Sequence, residues 1–363
     1  MTTFDHRAIC AQFAVLGDFV GAEPYGSGHI NDTQLVTYDQ AGLTVRYILQ
    51  RINHAIFPRP DLLMENICRV TEHLRRQAPA HPSQTTLTVI PARDGRPWVR
   101  DADGNWFRMY LFIEHARSYD ILETPRQAFE AARAFGAFQC HLADLPGPRL
   151  HETIANFHHT PSRFQALRQA IAADACGRLA AAQPEVDFIL ARERDYSLLV
   201  DLQAEGRLHE RITHHDTKLN NVLLDDADGT GRAVIDLDTV MPGLPHYDFG
   251  DMVRTGTSPA AEDERDLSKV TMRFEMFEAL LRGYLQGAGA MLSREEIELL
   301  PFSGKLITLE IGIRFLTDFL SGDTYFKVHR EGHNLDRCRT QIRLAASIED
   351  QMDDMMSLVR SLS

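Results

Sequence analysis

The chain has 363 residues, about twice a usual domain length, so two domains or one large two-lobed unit is the starting expectation. Its 38 Lys and Arg against 51 Asp and Glu leave a formal charge of −13, which repels phosphate backbones and argues against a nucleic-acid partner, while 44% hydrophobic and 25% charged residues exclude wholesale disorder. Five scattered cysteines without a CxxC pair, no basic–apolar–small leader and no run near the roughly 18 apolar residues of a membrane helix point to a cytoplasmic protein with no membrane partner.

The first third predicts strands around one helix. Tyr25-Gly26-Ser27-Gly28-His29-Ile30-Asn31 precedes the strand Gln34 to Thr37, and its glycines let backbone N–H groups approach an anion, although two glycines before a strand also make plain hairpin turns. Further strands are expected at Arg46 to Arg51, Leu87 to Pro91, Arg96 to Arg100 and Asn105 to Ile113. Between them Leu63, Ile67, Val70 and Leu74 recur at helical spacing after Pro58 and Pro60. From about Glu114 the texture becomes long amphipathic segments. One carries Phe129, Ala132, Phe135, Gln139 and Leu142; others run near 162–182, 184–204, 266–287, 293–320 and 334–361, with Ser293 and Glu296 fitting a capping box. Two β runs, Asn221 to Leu224 and Ala233 to Leu237, interrupt them as a hairpin. The expectation is an α+β, two-lobed unit: residues 1–113 a small antiparallel sheet lobe, 114–363 a helical lobe containing the hairpin.

Chemistry concentrates at Thr213-His214-His215-Asp216-Thr217-Lys218-Leu219-Asn220-Asn221, followed by Val234-Ile235-Asp236-Leu237-Asp238. Phosphoryl transfer needs a carboxylate at the attacking hydroxyl, cationic donors at the transferred group and oxygen ligands for Mg²⁺. Asp216, Lys218 and the pair Asn221 with Asp236 supply these types, and the order matches the kinase pattern H-R-D-x-x-x-x-N with His215 in place of Arg. Read singly, Asp216 is an ordinary turn residue; the whole set before two apolar strands favours the catalytic reading. Asp248-Phe249-Gly250 spells a D-F-G, but lies 32 residues beyond Asp216 and past a turn at 242–245; Asp236 is closer, which leaves Asp248 a structural role, bonding back to the loop.

These motifs resemble the aminoglycoside phosphotransferase and choline kinase superfamily, whose fold is protein-kinase-like. Glu23 to Asn31, Arg46 to Gln50, Asp216 to Asn221, Ile235 to Thr239, Leu300 to Gly304 and Arg314 to Leu316 with Tyr325-Phe326 resemble, more closely, the N-acetylhexosamine 1-kinases. The resemblance spans residues 4 to about 350. It implies transfer from ATP to the anomeric hydroxyl of N-acetylglucosamine or N-acetylgalactosamine, with Asp216 as base, Asn221 and Asp236 on Mg²⁺, and Gly26, Ser27 and Gly28 over the phosphates. His29, Asn31, Arg314 and Tyr325 would line the sugar site. Without the resemblance, Arg314 and Asp318 read as an i,i+4 ion pair on a solvated face, and Tyr325 as core or rim.

One departure stands out: where kinases place a third-strand Lys paired with a helix Glu, this chain has Gln50. Arg51, Arg46 or Lys218 are the expected substitutes, and Glu65 a weak match for the acid. Phe112-Ile113-Glu114 falls where an interlobe hinge would meet adenine. Kinases of other small hydroxyl compounds, a metal hydrolase built on His214, His215 and Asp216 with Asp236 and Asp238, and a regulatory pseudokinase are the alternatives.

Overall fold

In the computed structural model, residues 4–26, 30–78 and 80–362 are described; Ser27, Gly28 and His29, singled out above, lie outside them. Strands β1 (Asp18–Pro24), β2 (Asp32–Gln40), β3 (Leu43–Ile52), β4 (Val89–Ile90), β5 (Val99–Arg100) and β6 (Trp106–Leu111) form a sheet in the order β1-β2-β3-β6-β4, with β5 also on β6. Every pairing is antiparallel. The two-residue period of a strand sorts its side chains. Val36, Tyr38, Tyr47, Leu49, Phe107 and Met109 bury together on one face, joined by Ile9 and Cys10 of the short helix α1 (His6–Cys10). Their alternates Thr33, Ile48, Gln50, Arg108 and Tyr110 face a cleft on the other side.

The expected single helix is α2 (Pro60–Gln77), with Leu63, Ile67 and Val70 buried; α1 and the one-turn α3 (Pro82–Thr85) add to it. Strand β1 carries no pattern that marks it. It is an edge strand, bulged between Phe19 and Gly21 and closed by Pro24, and it exists because β2 offers it a free row of backbone groups.

The helical part comprises α4 (Pro125–His141), α5 (Thr160–Ala173), α6 (Gln183–Leu190), α7 (Leu198–Ala204), α8 (Pro245–Gly256), α9 (Phe274–Ala288), α10 (Arg294–Glu298), α11 (Leu300–Leu320), α12 (His333–Asp350) and α13 (Met352–Leu362). Several expected segments are broken. The 162–182 segment stops at Asp174, which takes a left-handed φ of 34° while its carboxylate accepts the amides of Arg178 and Leu179. The 293–320 segment divides at Leu299, one residue into the turn that precedes Pro301, and the Ser293–Glu296 capping box is present. Helix α8 was not expected. It is buried on almost every side, its polar His246, Asp248 and Asp251 included.

Between the helices run β8 (Arg211–Thr213), paired with β11 (Met241–Gly243), and the hairpin β9 (Val222–Asp225) with β10 (Gly231–Val234), which takes β7 (Ala116–Arg117) as a third strand. One buried cluster runs from Ile52, Leu63, Ile67 and Tyr110 to Phe135, Phe249 and Phe277, so residues on both sides of 113 share a core.

Helices α4 and α9 approach closely because glycines line the seam. A Cβ on Gly283 would lie 2.1 Å from the Phe129 carbonyl oxygen, and one on Gly287 2.4 Å from that of Arg133. Both obstacles are backbone atoms, which cannot rotate aside. Gly283→Ala is therefore expected to cost about 1–3 kcal/mol despite alanine's better helix propensity, read as a lower urea midpoint with an unchanged slope. A raised midpoint would show that the seam is loose.

Candidate active site

The loop from His214 to Asn221 leaves β8 and is pinned mainly from α8. Asp248 accepts the His214 amide at 2.8 Å and the His215 amide at 2.7 Å, Asp251 accepts the Thr217 amide at 2.9 Å, and Thr217 Oγ1 donates to the Asp248 carbonyl at 2.7 Å. Asp248 does bond back to the loop. Behind it, Gln139 donates to Asp248 and in turn accepts the Tyr284 hydroxyl at 2.6 Å. The His214 ring donates from Nε2 to the Ile235 carbonyl at 2.9 Å and accepts the Asp216 amide at Nδ1, 3.3 Å away. That pair of contacts requires the neutral Nε2-protonated tautomer. His215 and Asp236 hold φ of 67° and 57°, a left-handed backbone that neighbours must enforce. A Cβ on Gly243 would strike the His215 ring at 2.4 Å, so β11 must be glycine there for His215 to seat.

The hairpin sets Asn221 beside Asp236: the Ile235 amide donates to the Asn221 carbonyl at 2.9 Å. Asn221 Nδ2 donates to the Asp216 carbonyl at 2.8 Å and to its carboxylate at 3.2 Å, while Lys218 Nζ lies 3.1 Å from that carboxylate. Asp216, Lys218, Asn221, Asp236, Gly26, Asn31 and Phe112 all border one cleft of about 230 Å³ between the sheet and the helical part. The Asp236 carboxylate is open to this cleft yet ringed by protein. Burial first, then the Asp238 and Asp216 carboxylates, push its pKa up to about 6. Asp216 chiefly raises the Lys218 ammonium, against the cost of burial.

Among the described residues no hydrogen bond reaches the Asp236 carboxylate, and Asn221 spends its amide nitrogen on Asp216, leaving Oδ1. A donor-free carboxylate beside two others, with an amide oxygen next to it, is a set of hard oxygens suited to a divalent cation such as Mg²⁺. No three His, Cys, Asp or Glu side chains among the described residues are grouped to hold a metal by themselves. The ring contacts of His214 and His215 go to Ile235, Asp216 and Thr213, away from a metal-hydrolase arrangement.

Other expected residues lie differently. Glu114 turns from the cleft to bind Arg46, Nε to Oε1 2.9 Å, because that guanidinium sits over Phe112 at the same crossing. The Phe112 amide is taken by the Arg46 carbonyl at 3.0 Å, so Phe112 offers the cleft its ring and not its N–H. Asn31 borders the cleft, but both ends of its amide are used: Nδ2 donates to Asp238 at 2.7 Å and Oδ1 accepts the Asn53 amide at 3.0 Å. It ties the sheet to the Asp236–Asp238 segment. Arg51 pairs with Asp32, and Glu65 lies at the surface 3.1 Å from His151, so neither reaches the cleft.

Arg314 and Tyr325 do not border the cleft; they form a cluster beside it. The Arg314 guanidinium lies 5.5 Å from the Phe157 ring centre, 5.8 Å from that of Tyr325 and 5.5 Å from that of Phe326. Asp318 does not pair with Arg314. It accepts the amides of Thr324, Tyr325 and Phe326 at 2.8–2.9 Å, holding the segment that carries Tyr325. Buried Glu310 accepts from Thr160 and meets His158 at 2.8 Å, and His158 Nε2 donates to the His215 carbonyl at 3.2 Å. That chain joins the Arg314 cluster to the loop. Arg163 lies beside Arg314, and burial and that second guanidinium lower its pKa.

Sequence reasoning missed Arg108. It is fully buried on the cleft face of β6, donates from Nε to Gln50 Oε1 at 2.9 Å and pairs through Nη1 with Asp238. The signal was an arginine inside the apolar run Trp106 to Leu111; its facing depends on pairing with β3, where Gln50 and Arg108 are direct partners.

A sheet lobe over a helical lobe, with this loop and hairpin at their junction, defines the protein-kinase-like fold. The chain is similar over 100% of its length to 97% of an aminoglycoside phosphotransferase from Alicyclobacillus acidocaldarius, at 12% identity and a TM-score of 0.62. A spectinomycin phosphotransferase solved with ADP and spectinomycin matches at 12% identity and 0.59, covering 96% of this chain and 99% of that one. A microcompartment-associated aminopropanol kinase matches at 17% and 0.58, covering 96% and 97%. The model of the phosphotransferase enzyme family matches residues 21–295, and the chain belongs to that family. Among the described residues no helix is long and apolar enough to cross a membrane.

Proposed function

We propose that the protein is an ATP- and Mg²⁺-dependent kinase that phosphorylates the anomeric C1 hydroxyl of an N-acetylhexosamine. The observation that carries the kinase part is the convergence of Asp216, Lys218, Asn221 and Asp236 at one end of a single cleft. Asp216 accepts the hydroxyl proton as the oxygen attacks the γ-phosphorus in line and the bond from that phosphorus to the β–γ bridging oxygen breaks, releasing ADP, and the Asn221 amide, fixed by the hairpin, keeps that carboxylate aimed. Lys218 donates to the transferred group. Asn221 Oδ1 and Asp236 would hold Mg²⁺, which neutralises charge on the nucleotide phosphates. Adenine would stack at Phe112, and the Ile113 amide, without a partner among the described residues, would be its backbone donor.

The acceptor part rests on the sequence resemblance together with the Arg314 cluster. Two guanidiniums and an exposed Tyr325 suit a neutral polyol and repel a polycation, which disfavours aminoglycosides and amino alcohols as acceptors. Incubating the protein with Mg²⁺, ATP and a panel of N-acetylhexosamines, plain hexoses, aminoglycosides and amino alcohols, with phosphorus NMR of the products, tests this. Phosphate on C1 of an N-acetylhexosamine is expected; turnover confined to the amine-bearing acceptors would overturn the sugar assignment.

A further inference from the structure

Among the described residues two cationic side chains border the cleft, Arg108 and Lys218. Lys218 is engaged with Asp216 at the acceptor end. Arg46 is committed to Glu114 at the hinge and Arg51 to Asp32 at the surface. Arg108 remains, and it stands one strand over from the lysine position that Gln50 fills, as that residue's direct cross-strand partner. Its guanidinium is held at two points, Nε on Gln50 and Nη1 on Asp238, while Nη2 has no partner among the described residues. Tyr110 flanks it, 5.4 Å from the ring centre. Gln50 is itself oriented, since its Nε2 donates to Thr33 Oγ1 at 3.0 Å. A buried arginine that borders a cleft, with two of its three nitrogens fixed and the third unpartnered among the described residues, is a pre-aimed anion donor.

The local charge agrees. Among the described residues Asp216, Asp236 and Asp238 outnumber Arg108 and Lys218 three to two, so without Arg108 three carboxylates would face Lys218 alone. The partner acid has moved as well: Glu65 on α2 faces outward, and the residue paired with the buried cation is Asp238, two positions after Asp236.

We propose that Arg108 is the cation that meets the nucleotide phosphates in this chain, through Nη2, and that Gln50 and Asp238 are the positioning residues that aim it. The inference rests on the nucleotide reading above. Because Asp238 is shared with Asn31, the same ion pair links Asn31, one residue before β2, to the segment that carries Asp236.

The test is calorimetric binding of adenosine and ADP in EDTA, where no metal contributes, to the wild type, Arg108→Lys, and the double variant Arg108→Met/Asp238→Asn, which removes both buried charges together and so leaves neither charge unpaired. Adenosine affinity is expected to be equal in all three. ADP affinity is expected to fall about 10- to 100-fold in the double variant and less in Arg108→Lys. If wild type binds ADP and the double variant binds it equally well, Arg108 is a structural ion pair and the proposal fails alone. If adenosine and ADP weaken in parallel, the effect is on cleft shape, and the proposal likewise fails. If the wild type binds neither, the nucleotide reading falls and takes this one with it.

Discussion

Asp216→Asn is expected to lower phosphoryl transfer by about 10³-fold, roughly 4 kcal/mol of barrier, with ADP affinity unchanged. The substitution keeps the shape and an acceptor oxygen, so Asn221 Nδ2 and Lys218 Nζ retain a partner and the loop keeps its path. What it removes is the ability to take a proton from the acceptor. The loss should therefore fall on the chemical step: single-turnover rates drop while nucleotide titrations overlay those of the wild type. A variant that turns over within tenfold of the wild type would assign the proton to another group. Loss of ADP binding in step with rate would mean that the substitution had disturbed the cleft.

The largest effect on stability is expected at Asp248, which touches no part of the cleft. Asp248→Ala strips the acceptor from the His214 and His215 amides and from Gln139 Nε2, all buried. Each orphaned donor costs about 1–3 kcal/mol, so a loss of roughly 4–6 kcal/mol is expected, a large share of a typical domain's stability. Urea unfolding reads it as a lowered midpoint. Asp248→Asn leaves one oxygen for one amide and turns an NH₂ toward the other, and should cost about half as much. That milder variant is the informative one for function. If the loop's left-handed His215 is enforced from α8, kcat should fall while ADP affinity holds; unchanged kcat would show that the loop keeps its shape without Asp248.

Both predictions concern one loop, and the two halves of their argument came from different places. The spacing of Asp216, Asn221 and Asp236 is local: five residues along a turn, then a short hairpin, marked by the β runs Asn221 to Leu224 and Ala233 to Leu237 on either side of the turn-rich 225–231 segment. The glycine-containing segment Gly26 to Gly28 is equally readable as sequence, though the described residues include only its first glycine. Helix α2 and the α10 cap were legible for the same reason, since period and capping chemistry act over a few residues.

The misses share a different cause. Helix α8 buries polar His246, Asp248 and Asp251 along with its apolar residues, and strand β1 is an edge strand bulged between Phe19 and Gly21; each takes its conformation from the elements that it meets. Arg314 and Asp318 had the spacing of a surface ion pair, but Asp318 turned instead to the amides of 324–326, which only the fold brings within reach.

Composition and charge by themselves excluded nucleic-acid binding and wholesale disorder, and short-range spacing placed Asp216, Asn221 and Asp236 in the order of a kinase loop, with Gln50 where the resemblance puts a third-strand lysine. That Arg108 stands beside Gln50 on the cleft side of the sheet was decided by the tertiary structure. Strand register is set by pairing over 58 residues, and the Arg108–Asp238 ion pair closes over 130. A buried charge is tolerated only where distant partners meet it, so no local pattern records its direction.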